Sequence, residues 1–303
     1  MNASSYHLPV LATEIAAAAR GARRIVDATL GGGGHAELLR GQGAELLGID
    51  RDPDALLAAR ARLGHERITY LHAPYASDEA LAAVAAFHPD VILLDLGVSS
   101  HQLDQLERGF SFRPGAPLDM RMSQTGPTGA DLLNESSVDE LRIVFSELGD
   151  ERYAAKLARE VVRRRATVRF STSDDFVNAI RAALGPRSGP GDFARLFQAI
   201  RIAVNEEVDG LTRALPAFRD SLRPGGCLAV ISYHSGEDRV TKHAFQEWVR
   251  RCICPPALPI CTCRGQALGR LEPRKPIHPA AAETAANSRA RSATLRIFRK
   301  QES

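Results

Sequence analysis

The sequence predicts an α/β protein: a Rossmann-like, doubly wound sheet interrupted by an all-helical domain. Three observations carry this. Between Arg24 and about Gly97, short β-rich runs alternate with alanine-rich helical stretches. From about Asp104 to Val204 the alternation stops and only helical patterns remain. After Glu206 the strand-helix rhythm resumes. The predicted domains are therefore 1–103 with 205–303, discontinuous in sequence, and an insert over 104–204.

Each element has its own signal. Arg24 to Ala28 reads as a strand, Ala36 to Arg40 opens a helix, and Glu45 to Asp50 is a second strand. A helix over Asp52 to Leu63 carries Pro53 in its first turn, where a missing N–H costs nothing. Arg67 to Leu71 is a third strand, Ser77 to Phe87 a helix, and Val91 to Asp95 a fourth strand, apolar like a strand covered on both faces. A loop with glycine and proline runs from Arg108 to Pro127. Ser137-Val138-Asp139-Glu140 matches a capping box opening a helix that Gly149 can close. Helices are predicted over Glu151 to Arg165, Thr172 to Leu184, Asp192 to Val204 and Glu206 to Leu222. A turn at Arg223 to Gly226, a strand at Cys227 to Ser232, a helix from about Glu237 to Arg251 and a strand at Ala293 to Arg299 complete the chain.

The chain has 303 residues, 44% apolar and 25% charged, ordinary for a soluble globular protein. No apolar run approaches the roughly 20 residues of a membrane span, and Met1 to Val10 lacks the pattern of a signal peptide. No membrane partner is expected, and the cytoplasm is the expected location. The formal charge is only +3, but basic residues crowd Arg152 to Arg169 and the segment from Arg264 to Lys300. Such local excess suits either a polyanionic partner or a solvated helix face.

The run Gly31-Gly32-Gly33-Gly34-His35-Ala36 follows the first strand. It satisfies a dinucleotide-binding pattern, with Asp50 ending the second strand where a ribose carboxylate belongs. S-adenosylmethionine sites use the same place differently. Asp27 within the first strand can meet the ligand's ammonium, Asp50 the ribose hydroxyls, and Asp95 the adenine or the methionine part. A buried carboxylate needs a partner, so Asp27 favours the second reading. The alternative for these residues is a capped turn with tightly packed glycines.

Two polar loops follow the fourth and fifth strands, Asp95 to Gln102 and Ile231 to Arg239. No G-x-S-x-G elbow is present, which argues against acyl transfer. Cys227 reads as a small core residue. Cys252, Cys254, Cys261 and Cys263 fall in one short loop, as either a tetrahedral zinc site or reduced, unbound thiols.

Together these residues closely resemble the ribosomal small subunit methyltransferase H family (RsmH, formerly MraW). The matching stretches are His7 to Leu11, Asp27 to His35, Gly48 to Pro53, Asp95 to Asp104, Pro117 to Met122, Arg201 to Glu206, Val230 to Arg239 and Asn287 to Arg296. The resemblance implies S-adenosylmethionine-dependent methylation of the N4 amine of a cytidine in the decoding region of 16S rRNA. Its implied partner is 16S rRNA in the small ribosomal subunit, with no DNA. The implied cofactor contacts are Gly33, Gly34, His35, Asp50, Tyr75, Asp95 and Gln102. Tyr75 stands where the family usually has phenylalanine, His101 and Ser288 where proline is common, and Tyr233 and Gly236 where phenylalanine and leucine are usual. The familiar Asp-Pro-Pro-aromatic sequence of amino-methyltransferases is replaced by Asp95-Leu96-Gly97-Val98-Ser99-Ser100. Ser99, Ser100 and His234 are the residues expected around the target base, with Tyr233 as a stacking surface. Asp238 and Arg239 are read as a phosphate contact or as an ion pair capping the following helix.

Overall fold

The computed structural model describes residues 9–41, 43–255, 260 and 262–302, with only the backbone of Ser100 and His101. Val98–Glu207 forms one compact unit; the chain up to Gly97 and from Val208 forms the other.

The discontinuous unit carries seven strands: β1 (Arg24–Asp27), β2 (Glu45–Asp50), β3 (Ile68–His72), β4 (Val91–Asp95), β5 (Cys227–Ser232), β6 (Gly269–Leu271) and β7 (Thr294–Lys300). They form one sheet in the order β3-β2-β1-β4-β5-β7-β6. The first five are parallel, joined by helices as βαβ chirality requires. β7 departs from the predicted parallel sheet, pairing antiparallel with both β5 and β6. Its apolar pattern is the same in either direction, so sequence alone did not set its sense.

Helices α1 (Ala12–Ala18), α2 (Gly34–Arg40), α3 (Pro53–Leu63) and α4 (Asp78–Phe87) precede the other unit. Asp52 caps α3 by accepting from Asp54 N at 3.1 Å, and Ser77 caps α4 through Ala80 N at 3.2 Å. The sheet is apolar on both faces because each face has its own core. Ile25, Leu46, Leu93 and Ile231 pack with Ile15, Leu39 and Leu56. Val26, Ile49, Ile92 and Val230 pack with Val84, Phe218, Phe245 and Trp248.

Val98–Glu207 carries α5 (Ser100–Asp104), α6 (Gly129–Glu135), α7 (Val138–Ile143), α8 (Ala154–Arg165), α9 (Ser173–Leu184) and α10 (Pro190–Val204). Its described residues hold no strand, only an isolated bridge between Pro117 and Thr172. Phe176 centres its core, 5.9 Å from Phe145 and 5.2 Å from Phe197 between ring centroids. The Pro117 to Met122 stretch is held from within this unit. Arg121 forks onto Asp119, and the Asn205 side chain spans Met122 N at 2.9 Å and Met120 O at 2.8 Å. Helix α8 begins three residues later than predicted: Asp150 takes a positive φ of 46°, and the Glu151 carboxylate accepts from Tyr153 N at 2.7 Å.

The chain returns to the sheet through α11 (Glu207–Ser221), α12 (Ser235–Trp248) and α13 (Ala281–Ala286). α12 starts and stops before the predicted Glu237 to Arg251 because His234 caps its first turn, and Phe245 and Trp248 bury its last against Phe298. α1, α5, α6, α13 and β6 are additions to the predicted elements.

Candidate active site

The site grows out of three neighbouring strands that each end in an aspartate. β2, β1 and β4 lie side by side, so Asp50, Asp27 and Asp95 share the carboxyl edge where open α/β sheets bind ligands. The segment after β1 is stitched down between the other two: Ala28 N donates to Leu93 O and Leu30 N to Ile49 O, both at 2.9 Å. Leu30 then lies on β2, and a Cβ on Gly48 would stand 2.8 Å from its Cδ2. Gly48, part of the matching stretch Gly48 to Pro53, is thus required by the packing of Leu30; a glycine inside an apolar strand was its signal.

Gly33 needs to be glycine for two reasons. Its φ is +80°, and a Cβ there would meet Leu63 Cδ1 at 2.9 Å. Gly34 differs: a Cβ would meet nothing nearer than 3.7 Å, so the protein itself does not exclude a side chain. That Cβ would be in ordinary contact with Pro9 and Arg62, beside the first turn of α2, where backbone N–H groups have no intrahelical acceptor.

The three carboxylates are costly to ionise. Burial pushes Asp27 up to about 7, against the pull of His35 and of the Thr29 N–H. Burial pushes Asp50 up to about 6, although its oxygens accept from Gly31 N at 2.7 Å and Asp52 N at 2.8 Å. Burial also raises Asp95, which sits 3.5 Å from His35 Nδ1. His35 is itself buried, with Nε2 2.9 Å from Val10 O. A cluster of reluctant carboxylates at a sheet edge suits a cationic ligand with hydroxyl groups.

Tyr233, expected as a stacking surface, also makes a hydrogen bond that the sequence did not show. Its hydroxyl donates to Asp95 Oδ1 at 2.8 Å, and burial followed by the Asp95 charge drives its own ionisation upward. Its ring lies near Gly97, where a Cβ would sit 3.5 Å from Cδ2. His234 Nδ1 accepts from Glu237 N at 3.4 Å, which puts the proton of the neutral ring on Nε2. That Nε2 lies 3.2 Å from Glu237 Oε1 but off hydrogen-bond geometry, a buried atom with no hydrogen-bond partner among the described residues. Asp238 pairs with Arg296 of β7, fork to fork at 2.7 and 2.9 Å, rather than with Arg239. Tyr75 follows β3, half-buried, its ring centroid 6.4 Å from that of Phe218.

Ser99, Ser100 and Gln102 belong to the other unit. There Ser99 Oγ accepts from Gln102 N at 3.2 Å while Gln102 Oε1 accepts from Ser99 N at 3.0 Å. This reciprocal pair is a capping box at the start of α5, and the S-x-x-Q spacing was its sequence signal. Of the four loop cysteines, Cys252, Cys254 and Cys263 converge, and Cys261 lies outside the described residues.

These residues fit S-adenosylmethionine. The carboxylates can meet its ammonium and ribose hydroxyls. Comparison with known proteins agrees. The MraW methylase family matches residues 4–301. The chain is 53% identical over 301 residues to the ribosomal RNA small subunit methyltransferase H of Gemmatimonas aurantiaca, covering 97% of this chain and 95% of that protein. It is 44% identical over 306 residues to the enzyme of the same name from Symbiobacterium thermophilum, covering 96% and 95%. A match running almost the whole length means that the chain belongs to the MraW methylase family of S-adenosylmethionine-dependent methyltransferases.

Proposed function

We propose that this protein methylates the N4 amine of a cytidine in the decoding region of 16S rRNA within the small ribosomal subunit, and does so in the cytoplasm. The observation that carries the chemistry is the line of Asp50, Asp27 and Asp95 on adjacent strands beside the glycine turn. The rRNA acceptor rests on the relatives' names, and the N4 position on the resemblance of the motifs. When bound, S-adenosylmethionine supplies an electrophilic methyl group on a sulfonium. Asp50, already oriented by the Gly31 and Asp52 N–H groups, keeps lone pairs for ribose hydroxyls. Asp27 ionises against the ammonium, and Asp95 is aimed by the Tyr233 hydroxyl and His35. Gly33 and Gly34 let the ligand lie on the turn, and Tyr75 and Gln102 are further proposed contacts.

A cytosine amine is not protonated at neutral pH, so positioning counts for more than a general base. His234, its Nδ1 capping α12 and its Nε2 buried beside Glu237 Oε1, is proposed to line the target-base site through its ring. Ser99 and Ser100 are the proposed acceptors for the amine hydrogens, with the amine proton leaving after transfer. The insert over 104–204 would grip the RNA backbone. Along α8 five basic side chains stand against one glutamate, and Lys156 and Arg159 are exposed. Phosphate contacts of this kind hold RNA while an unpaired or extruded base is presented.

Transfer of labelled methyl to small subunits from cells lacking this protein, beside naked 16S rRNA, tests the proposal. Label recovered as N4-methylcytidine is the expected result. Label in another nucleoside, or none despite cofactor binding, would refute the acceptor assigned here.

A further inference from the structure

The connection between α12 and β6 holds Cys252, Cys254, Cys261 and Cys263, and nothing in the proposed reaction uses them. The Sγ atoms of Cys252, Cys254 and Cys263 all lie within 4.8 Å of one another. Those of Cys252 and Cys263 are 3.9 Å apart. A disulfide would need about 2.05 Å. Thiolates about 2.3 Å from a tetrahedral zinc ion sit about 3.8 Å from each other, close to the Cys252–Cys263 separation. Ile253 N donates to Cys263 Sγ at 3.3 Å, a contact that steadies a thiolate ligand from outside its metal shell.

The segment has a reason to need such a fastening. None of the described residues from 249 to 268 is buried, and Ile253 and Ile260 are exposed. Arg264 ties its base to the carbonyls of Glu247 and Arg250, and Leu268 N reaches Trp248 O at 2.8 Å. Among its described residues only Val249 and Leu268, at its two ends, pack against a hydrophobic core. Short segments that cannot bury a core are commonly ordered by a metal.

We propose that Cys252, Cys254 and Cys263 bind a structural Zn²⁺ that orders the α12–β6 connection. Binding moves the thiol protons to solvent and forms zinc–sulfur bonds; no electrons are transferred. Soft thiolates select zinc over magnesium or calcium. The inference is independent of the acceptor and of the methyl donor.

The test uses the full chain, purified without metal-affinity steps or chelators. Elemental analysis should give about one zinc per chain, and less than about a tenth of that in the C252S/C263S variant. Cobalt added to the stripped protein should produce thiolate charge-transfer and tetrahedral d–d bands in the parent alone. The parent also carries a test that does not depend on the variant folding. Trypsin cleavage after Arg250, Arg251 and Arg264, and thiol labelling, should accelerate at least tenfold on chelation and slow again with zinc. A metal-free parent that gives no thiolate bands with cobalt, or cleavage unmoved by chelation, overturns the site. Zinc retained by the folded variant overturns it equally.

Discussion

Asp27→Asn should stabilise the cofactor-free protein at pH 8 while weakening its grip on S-adenosylmethionine. Asp27 is 2% exposed, and burial pushes it from 3.8 up to about 7. The unfolded chain releases this proton near pH 3.8 and the folded one near 7, so between those values the native state holds more protons than the unfolded state. Stability therefore falls as pH rises through that window. About three pH units at ~1.4 kcal/mol each make the ionised buried carboxylate cost on the order of 4 kcal/mol above pH 7. Asparagine keeps an oxygen for the Thr29 N–H, which Asp27 Oδ1 accepts at 3.3 Å, and removes the charge. Urea melts of both proteins at intervals from pH 4 to 8 should show curves that nearly coincide at pH 4 and separate by several kcal/mol at pH 8. Calorimetry at pH 8 should show at least a tenfold loss of cofactor affinity in the variant. In the parent, binding between pH 6 and 7 should release protons, because a cationic ligand draws Asp27 down. A stability difference flat with pH, or a variant less stable at pH 8, would refute the reasoning.

Tyr233→Phe removes the hydroxyl that bonds half-buried Asp95 and should cost about 1 kcal/mol in denaturant melts, with weaker cofactor binding. Unchanged stability would mean that the hydroxyl does not support Asp95. Gly48→Val drives a side chain into Leu30 and should cost roughly 1–3 kcal/mol; a variant as stable as the parent would show that the turn after β1 is not seated on β2. Phe176→Ala empties the centre of the insert core and should cost about 3–5 kcal/mol, read by the unfolding of that unit. RNA affinity should fall linearly on a log–log salt plot, and Arg159→Ala should lower the slope by about one if that side chain meets a phosphate. Affinity flat across the titration would rule out an electrostatic grip.

Much of this was legible because the signals are local. Val91–Asp95 is apolar at every position but its last, which marks both a central strand and a functional carboxyl end. Asp52 and Ser77 announce helix starts that their side chains then cap. What sequence could not show was pairing over distance. The bond from Tyr233 to Asp95 joins residues 138 apart, brought together only because β4 and β5 are neighbours. Asp238 chose Arg296, 58 residues away, over adjacent Arg239 because consecutive residues on a helix point apart. Ser99 and Gln102 show the converse. Their polar groups were legible as functional, and a local capping box engages them.

The position of β7 governs how the sheet is assembled during synthesis. All six residues of β5 are buried, yet among the described residues its edge away from β4 is paired only with β7, whose Thr294 is 62 residues beyond Ser232. Among the described residues β6, made earlier, pairs with no strand but β7. Until β7 leaves the ribosome tunnel, a nascent chain carries an apolar strand with an open row of N–H and C=O groups, a template for aggregation. Closure of the sheet is therefore a late step, and nascent chains stalled before Thr294 should be held by chaperones and released once β7 is made.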